Sequence, residues 1–528
     1  MRNLELPGRS PVYATHGMAC TSHPLSSQTA VEVLKSGGNA LDAAIAACAV
    51  QCVVEPESTG IGGDCFCLYW PAGAEKPVAF NGSGRAPREA TAAWYADQGI
   101  AAIQQTSPHA VTVPGAVDAW SQLLSAHGRK SLKHLLQPAI GYARDGWPIS
   151  PRVHFDFNKA LAMLRGNETA ARLYLKNGEA PAVGTRLRQP ELARTLGLIA
   201  EHGREAFYEG EVAEDIVETL RRLGGLHTTE DLAGHRGAFV EPIAVDFRSH
   251  RVWQCPPNGQ GIVALLLLNM MSELAAERTP LDPQRMHMEI EAGRLAYRQR
   301  DLFVCDPDFE ATPVEQLLSQ SFARELLAAI DPERANTAPA YLPKQASTVY
   351  IAVVDQDRNV CSFINSLFHP FGSGIMTAKT DIMLQNRGQG FSLDPSSPNC
   401  IAPGKRPMHT IIPGLVSKGA QAVMPFGVMG GAYQAFGHAQ FLTRYFDYGL
   451  DIQEAMDCAR FFAEPATGKV EIECGVPTAA IAALRHRGHE FVRPARPIGG
   501  SQAIWIDWQE GVLAGGSDPR KDGCAIGY

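Results

Sequence analysis

Thr348 and Ser366 are the two hydroxyl residues whose placement suggests covalent chemistry. Thr348 opens an apolar run, "TVYIAVVD", just after the polar stretch "LPKQAS". A second run, "NVCSFINSL", follows across "QDRN" (Gln356 to Asn359), so the two runs predict a β-hairpin with good turn chemistry. If that hairpin is symmetric about Asp357, Ser366 stands directly across the ladder from Thr348, where side chains touch. One hydroxyl at a strand start with another beside it is a nucleophile with a helper. The Pro/Ala-rich "NTAPAYLPKQAS" ahead of it suits an accessible processing loop. Cleavage of the Ser347–Thr348 bond would give Thr348 a free α-amine next to its own hydroxyl, joining nucleophile and base in one residue.

A Thr at a strand start is ordinarily just a β-branched surface residue. Two Gly-rich stretches strengthen the chemical reading here: "FGSGI" (371–375), close after the second run, and "FGVMGGA" (426–432). Gly430 and Gly431 can present two backbone N–H groups to one point, as a tetrahedral oxyanion requires. Losing one such donor costs roughly 3–4 kcal/mol. The same pair reads equally well as a tight strand-to-helix turn, and the two readings are compatible. "GIGGD" (60–64) and "GQG" (259–261) have neither the dinucleotide-binding nor the Walker pattern, so they read as turns.

The elements that must carry these residues are legible in outline. Residues 24–54 read as a helical hairpin or one broken helix, interrupted at Gly37-Gly38. Residues 116–235 are mainly helical by pattern, 244–257 is strand-like, and "GIVALLLLNMMSELAAE" is a helix that can be buried. Residues 281–345 are helical and then loose. Gly-punctuated strands dominate from 348 onward, with helices near 434–460 and 476–488.

Composition excludes several classes. The chain of 528 residues has a formal charge of −8 and no dense Lys/Arg cluster, so nucleic acid is not an expected partner. Its longest apolar stretch, "IVALLLLNMM", is too short to span a bilayer. The N-terminus lacks an apolar signal core, which predicts a cytoplasmic protein. Twelve Cys occur without any CxxC pair, and no His pair has zinc spacing; they read as reduced, mostly buried residues with no metal.

Taken in order, "TSHPLSS" with "GGNALDAAIAA", "VVEPESTGIGGD", "VTVPGAVDAW", "CPPNGQGI", the Thr348 hairpin, "FGSGI", "GKRPMHTI", "MGGA" and "SDPRKDG…GY" resemble the γ-glutamyltransferases of the N-terminal-nucleophile hydrolases, end to end. The resemblance implies a four-layer αββα sandwich of mixed α/β (α+β) class, without metal or organic cofactor. It also implies a precursor cut before Thr348 into an α chain of 1–347, with a helical region over about 116–345, and a β chain of 348–528. Both chains would build one intertwined catalytic domain; an (αβ)2 assembly is left open. Carried over, Thr348 matches the nucleophile, Ser366 the supporting hydroxyl that is usually Thr, and Gly430 and Gly431 the oxyanion pair.

The departures bear on substrate. Ser83 stands where the family has an Arg for the substrate α-carboxylate, with Arg85 two residues on; Gly390 stands where it has an acidic group for the α-amine. Arg387 replaces the adjacent polar contact, Phe368 an Asn, and His409-Thr410 a Ser pair. A site without the carboxylate has lost its counter-charge for an ammonium, while cations remain to pair with an anion. His409 reads as readily as a satisfied strand-end residue.

The expectation is a hydrolase for a small anionic amide lacking an α-amine, held by Arg387 or Arg85 with His409 and Thr410. By analogy this pattern is most like the oxamate amidohydrolase branch of purine breakdown, which makes oxalate and ammonia. Three alternatives stand beside it: a γ-glutamyltransferase or glutathione hydrolase, an acylase for larger amides using the apolar surround of Phe368, and a non-catalytic homologue that only binds.

Overall fold

A computed structural model describes residue 5 and residues 8–336 and 347–528. The expected processing loop, 337–346, lies outside the described residues. Strands are numbered β1 Val12–Ala14, β2 Met18–Thr21, β3 Asp64–Trp70, β4 Val78–Gly82, β5 Ala238–Val240, β6 Ile243–Phe247 and β7 His250–Gln254. They continue as β8 Ser347–Val354, β9 Val360–Phe368, β10 Gly414–Lys418, β11 Gln421–Met429, β12 Gly500–Asp507, β13 Val512–Ser517 and β14 Cys524–Gly527. They form two seven-stranded sheets, in the orders β1-β13-β12-β11-β10-β7-β6 and β14-β2-β8-β9-β3-β4-β5.

Helices α1 (Pro24–Lys35) and α2 (Ala40–Val54) pack on the second sheet. On the first sheet lie α3 (Gly261–Ser272) and α5 (Tyr433–Phe446), with α4 (Pro283–Phe303) beside them. The layers are therefore helix, sheet, sheet, helix, the αββα sandwich expected. Residues 24–54 resolve as a helical hairpin rather than one broken helix. Short helices fill most of 116–233, and β5 to β7 then contribute to both sheets.

Period-two alternation explains how one strand serves two cores. On β8, Ile351 and Val353 pack against the helices, while Tyr350, Ala352 and Val354 enter the layer between the sheets. Each fully buried side chain of this size contributes about 1.5–3 kcal/mol. Thr348 has the parity of Tyr350, so its hydroxyl projects between the sheets, toward β11.

The hairpin turn is held by Asp355, whose Oδ1 accepts the N–H groups of Asp357 at 3.0 Å and Asn359 at 2.9 Å. Its Oδ2 accepts the Ala40 N–H at 2.9 Å, tying the turn to the start of α2. All fifteen residues of α2 are buried. Its run of Ala and Cys supplies the small side chains that such close packing needs.

Candidate active site

The register of β8 on β9 centres on Asp357, as Val349 opposite Asn365 and Tyr350 opposite Ile364 show. The ladder then shifts between Val349 and Ser347, and Ser347 pairs with Phe368. Thr348 thus faces Ser366 and Leu367 together, a β-bulge at the strand end, where such irregularities re-aim side chains. The hydroxyls of Thr348 and Ser366 are 3.1 Å apart, and both residues are buried. Ser366 Oγ also accepts the Phe368 N–H at 2.9 Å, which anchors it from the far side. Behind it, a Cβ on Gly63 would meet the Ser366 carbonyl oxygen at 2.4 Å, so "GIGGD" is a turn that lets backbone approach closely.

A third polar group reaches Thr348 from helix α5, which lies on the other sheet. Gln434 Nε2 lies 3.4 Å from Thr348 Oγ1, while its Oε1 accepts the Ile412 N–H at 3.2 Å. Gln434 stands in the first turn of α5, just past the glycine pair. Gly430 and Gly431 form the strand-to-helix turn with φ of 122° and 58°, values that favour glycine. Among the described residues neither N–H has a backbone acceptor. Gln260 fixes this turn by donating to the Gly431 carbonyl at 2.8 Å and the Thr410 carbonyl at 2.9 Å. Thr348 and Gly430 line one cavity of about 80 Å3, shared with Tyr433, Arg152, Arg496 and Lys521.

The two candidate arginines part company. Arg387 is fully buried in a short 3-10 turn, Arg387–Gly390. Its Nη1 donates to Thr410 Oγ1 at 2.8 Å, and its guanidinium carbon lies 4.1 Å from the centroid of the Phe368 ring. Among the described residues its Nε and Nη2 have no hydrogen-bond partner. Burial pushes this guanidinium down to about 9, with the Asp64 carboxylate pulling the other way, so it stays charged at neutral pH. Arg85 is a third exposed and turned to other work: Nη2 meets Asp308 at 3.1 Å and Nη1 donates to the Gly404 carbonyl at 2.9 Å. Asp306, its more distant partner, is itself bound to Arg406.

His409 is buried with Nε2 at 2.9 Å from Asp64 Oδ2, and its Nδ1 accepts the Ile411 N–H at 3.3 Å. Since Nδ1 accepts, Nε2 carries the proton and donates to Asp64. Burial, then the nearby Arg387 charge, lower His409 to about 3 against the pull of Asp64. The imidazole is neutral. Burial alone would raise Asp64, but the His409 hydrogen bond outweighs it together with Arg387 and Gln385, and the carboxyl sits below its ordinary value. Asp64 Oδ1 also accepts from the N–H groups of Gly84 at 3.0 Å and Gly115 at 3.1 Å. Ser83, at the departed Arg position, accepts from Asn258 Nδ2 at 3.0 Å. The carbonyl of Gly390 accepts from Asn399 Nδ2.

One His–Glu–His group, His287, Glu291 and His489, brings ligand-type atoms within 4.8 Å among the described residues. Its histidines already bond each other and the Asp331 carbonyl, and Glu291 is ion-paired with Arg294. A cation placed there would meet that guanidinium. Gln434, Gln260, Asp64 and Lys521 escaped sequence reasoning. Only the glycines flanking Gln260 and Asp64 hinted at tight turns there.

Comparison with known proteins agrees with this geometry. A family model described as gamma-glutamyltranspeptidase matches residues 26–528. The "Glutathione hydrolase-like YwrD proenzyme" of Bacillus subtilis is 37% identical, covering 98% of this chain and 99% of that protein. The "Oxamate amidohydrolase proenzyme" of Klebsiella pneumoniae is 36% identical over the same shares of the two chains. The crystal structure of a cephalosporin acylase from Bacillus halodurans superposes with a TM-score of 0.92 at 39% identity, covering 100% of this chain and 99% of that one. With a family match over nearly the whole length and relatives aligned end to end, the chain belongs to the gamma-glutamyltranspeptidase family and is an N-terminal-nucleophile hydrolase that acts on amide bonds.

Proposed function

We propose that this chain cuts itself between Ser347 and Thr348 and then hydrolyses a small anionic amide, with oxamate the first candidate. One observation carries the substrate reading: Arg387 is a buried cation beside Thr410, and two of its nitrogens have no partner among the described residues. A buried charge that bonds no carboxylate is costly, and a substrate carboxylate supplies both the charge and the bidentate acceptors that a guanidinium matches. Gly390 offers no carboxylate for a substrate ammonium.

Self-cleavage begins with Thr348 Oγ attacking the Ser347 carbonyl carbon; the peptide C–N bond breaks, and water hydrolyses the resulting ester. The freed α-amine, with a reference pKa of about 7.7–8, is suited to general-base work near neutral pH. It takes the Oγ proton as Oγ attacks the amide carbon. Gly430 and Gly431 N–H groups hold the oxyanion, and α5 adds the positive end of its dipole. The C–N bond breaks, the amine leaves with that proton, and water releases the acid. Ser366 and Gln434 are positioning residues that aim Oγ. Arg387 holds the substrate carboxylate; Arg85 belongs to the Asp306–Asp308 cluster. His409 is a neutral strut that keeps Asp64 and the Thr410 loop in place.

A second reading has its own support in the relatives, since one is named glutathione hydrolase-like and another oxamate amidohydrolase at nearly equal identity. Release of ammonia from oxamate, set against release of p-nitroaniline from γ-glutamyl-p-nitroanilide, decides between them. Turnover of oxamate supports the Arg387 reading. Turnover of the γ-glutamyl compound alone replaces it.

A further inference from the structure

The glycine turn beside Thr348 is held from behind by side chains that the mechanism above does not use. Gln260, which immediately precedes α3, donates from one nitrogen to two carbonyls, Gly431 at 2.8 Å and Thr410 at 2.9 Å. A side-chain amide is nearly symmetric in shape, so its partners decide which end carries the donors. Arg300 settles the matter from the other end. Its Nη1 lies 3.3 Å from Gln260 Oε1, and a guanidinium can only donate. Oε1 therefore faces Arg300, and both N–H groups of Nε2 face the carbonyls.

Arg300 is itself fixed. Its side chain is fully buried on α4, and its Nε and Nη2 both donate to Asp301 Oδ1, at 3.0 Å and 2.5 Å. One carboxylate oxygen thus takes one edge of the fork and leaves Nη1 for Gln260. One turn earlier on α4, the Tyr297 hydroxyl donates to the Ala432 carbonyl and accepts the Phe436 N–H at 3.3 Å. The Arg300 guanidinium carbon lies 5.1 Å from the centroid of that ring. Two residues of one helix face, both ahead of the expected cut, so grip a turn that follows it.

We propose that Arg300 is a positioning residue for the oxyanion turn: acting through Gln260, it fixes the Gly431 carbonyl and so keeps that residue's N–H aimed at the reacting carbon. The inference rests on the reading of Gly430 and Gly431 as the oxyanion donors. The oxyanion forms only as Thr348 Oγ bonds to the substrate carbon, so a loosened turn slows turnover more than it weakens substrate binding. The Thr410 side of the site depends on Gln260 less. Its neighbour His409 keeps backbone bonds to Asn258 and Gln260, at 2.8 Å each.

Arg300 and Asp301 also border a second cavity, of about 770 Å3, through which a small ion can reach them. The test is chemical rescue, on purified, self-cleaved enzyme with oxamate or γ-glutamyl-p-nitroanilide, whichever the parent turns over. In Arg300→Ala, kcat should fall about 10- to 100-fold while KM changes far less. Guanidinium chloride at non-denaturing concentrations should restore much of kcat by pairing with Asp301, and ammonium chloride at equal concentration should not. The double variant Arg300→Ala/Asp301→Asn should lose the rescue. Gln260→Glu keeps its size and its bond to Arg300 but cannot donate to carbonyls, so its kcat should fall similarly and gain nothing from guanidinium. Parent-like kcat in Gln260→Glu would overturn the Arg300 role while leaving Thr348 in place. So would a loss in Arg300→Ala that falls on KM alone, or one that guanidinium leaves untouched. A parent that hydrolyses neither compound would overturn the Thr348 amide reading and this role with it.

Discussion

Phe368 covers the Arg387 guanidinium, its ring centroid 4.1 Å from the guanidinium carbon. Phe368 also has a φ of 79°, in the left-handed region that disfavours a bulky residue, and it pairs with Ser347, the residue on the acyl side of the expected cut. The cation, its aromatic cover and the expected cut therefore form one contiguous unit.

Because Arg387 bonds no carboxylate among the described residues and feels only the more distant Asp64, removing its charge should weaken substrate binding more than it weakens the fold. Arg387→Met should raise KM for an anionic amide by roughly 10- to 100-fold, from the loss of charged hydrogen bonds of about 1.5–3 kcal/mol. Its thermal midpoint should stay close to the parent's, since replacing a buried charge that bonds no carboxylate by an apolar side chain is often neutral or stabilising. Arg85→Met should leave KM within about twofold. Steady-state kinetics and a melting curve on each variant check both statements. A KM response in Arg85→Met instead would exchange the two roles.

Ser366 contributes one hydrogen bond to aiming Thr348. Ser366→Ala should slow self-cleavage and turnover by roughly 5- to 30-fold, the worth of about 1–2 kcal/mol. Ser366→Thr, which keeps the hydroxyl, should recover most of both rates. Time courses of fragment appearance on denaturing gels measure the first rate. An alanine variant that processes at the parent's pace would remove Ser366 from the site.

His409 makes the folded chain acid-sensitive. Its folded value of about 3 lies below the ordinary value near 6.5, so between these limits the unfolded chain binds a proton that the folded chain refuses. Stability is then fully present above pH 6.5 and falls as pH drops toward 3, by about 1.4 kcal/mol per unit from this group. His227 and His438, also lowered to about 3 by burial, act in the same direction. In a Thr348→Ala background, where the chain stays continuous, urea midpoints from pH 7 to pH 5 should decline less steeply for His409→Gln than for its parent. Parallel declines would mean that His409 is not held neutral.

How much was legible in the sequence follows from what each feature depends on. The Thr348–Ser366 contact was readable because hairpin register is arithmetic once the turn is located, and the turn residues announce themselves. The β-bulge that sets Thr348 against both Ser366 and Leu367 was not, because a one-residue register shift at a strand end leaves no mark in the apolar pattern. Gln434 reaches Thr348 from helix α5, and Lys521 reaches the cavity from the far end of the chain. No local pattern marks either. Arg85 and Arg387 looked interchangeable in sequence; only their partners tell them apart, with acidic residues beside one and none bonded to the other. The helices and strands read well because their apolar periodicity is strong, whereas the pairing order of fourteen strands depends on contacts between distant segments.

The central claim is that the working nucleophile is a chain terminus created by the protein itself. Intact mass measurement and N-terminal sequencing of the purified active enzyme test it most directly. The account predicts two fragments, the lighter beginning at Thr348, and a single uncut species near 57.0 kDa with no amidase activity for Thr348→Ala. Full activity residing in an unbroken 528-residue chain would contradict it.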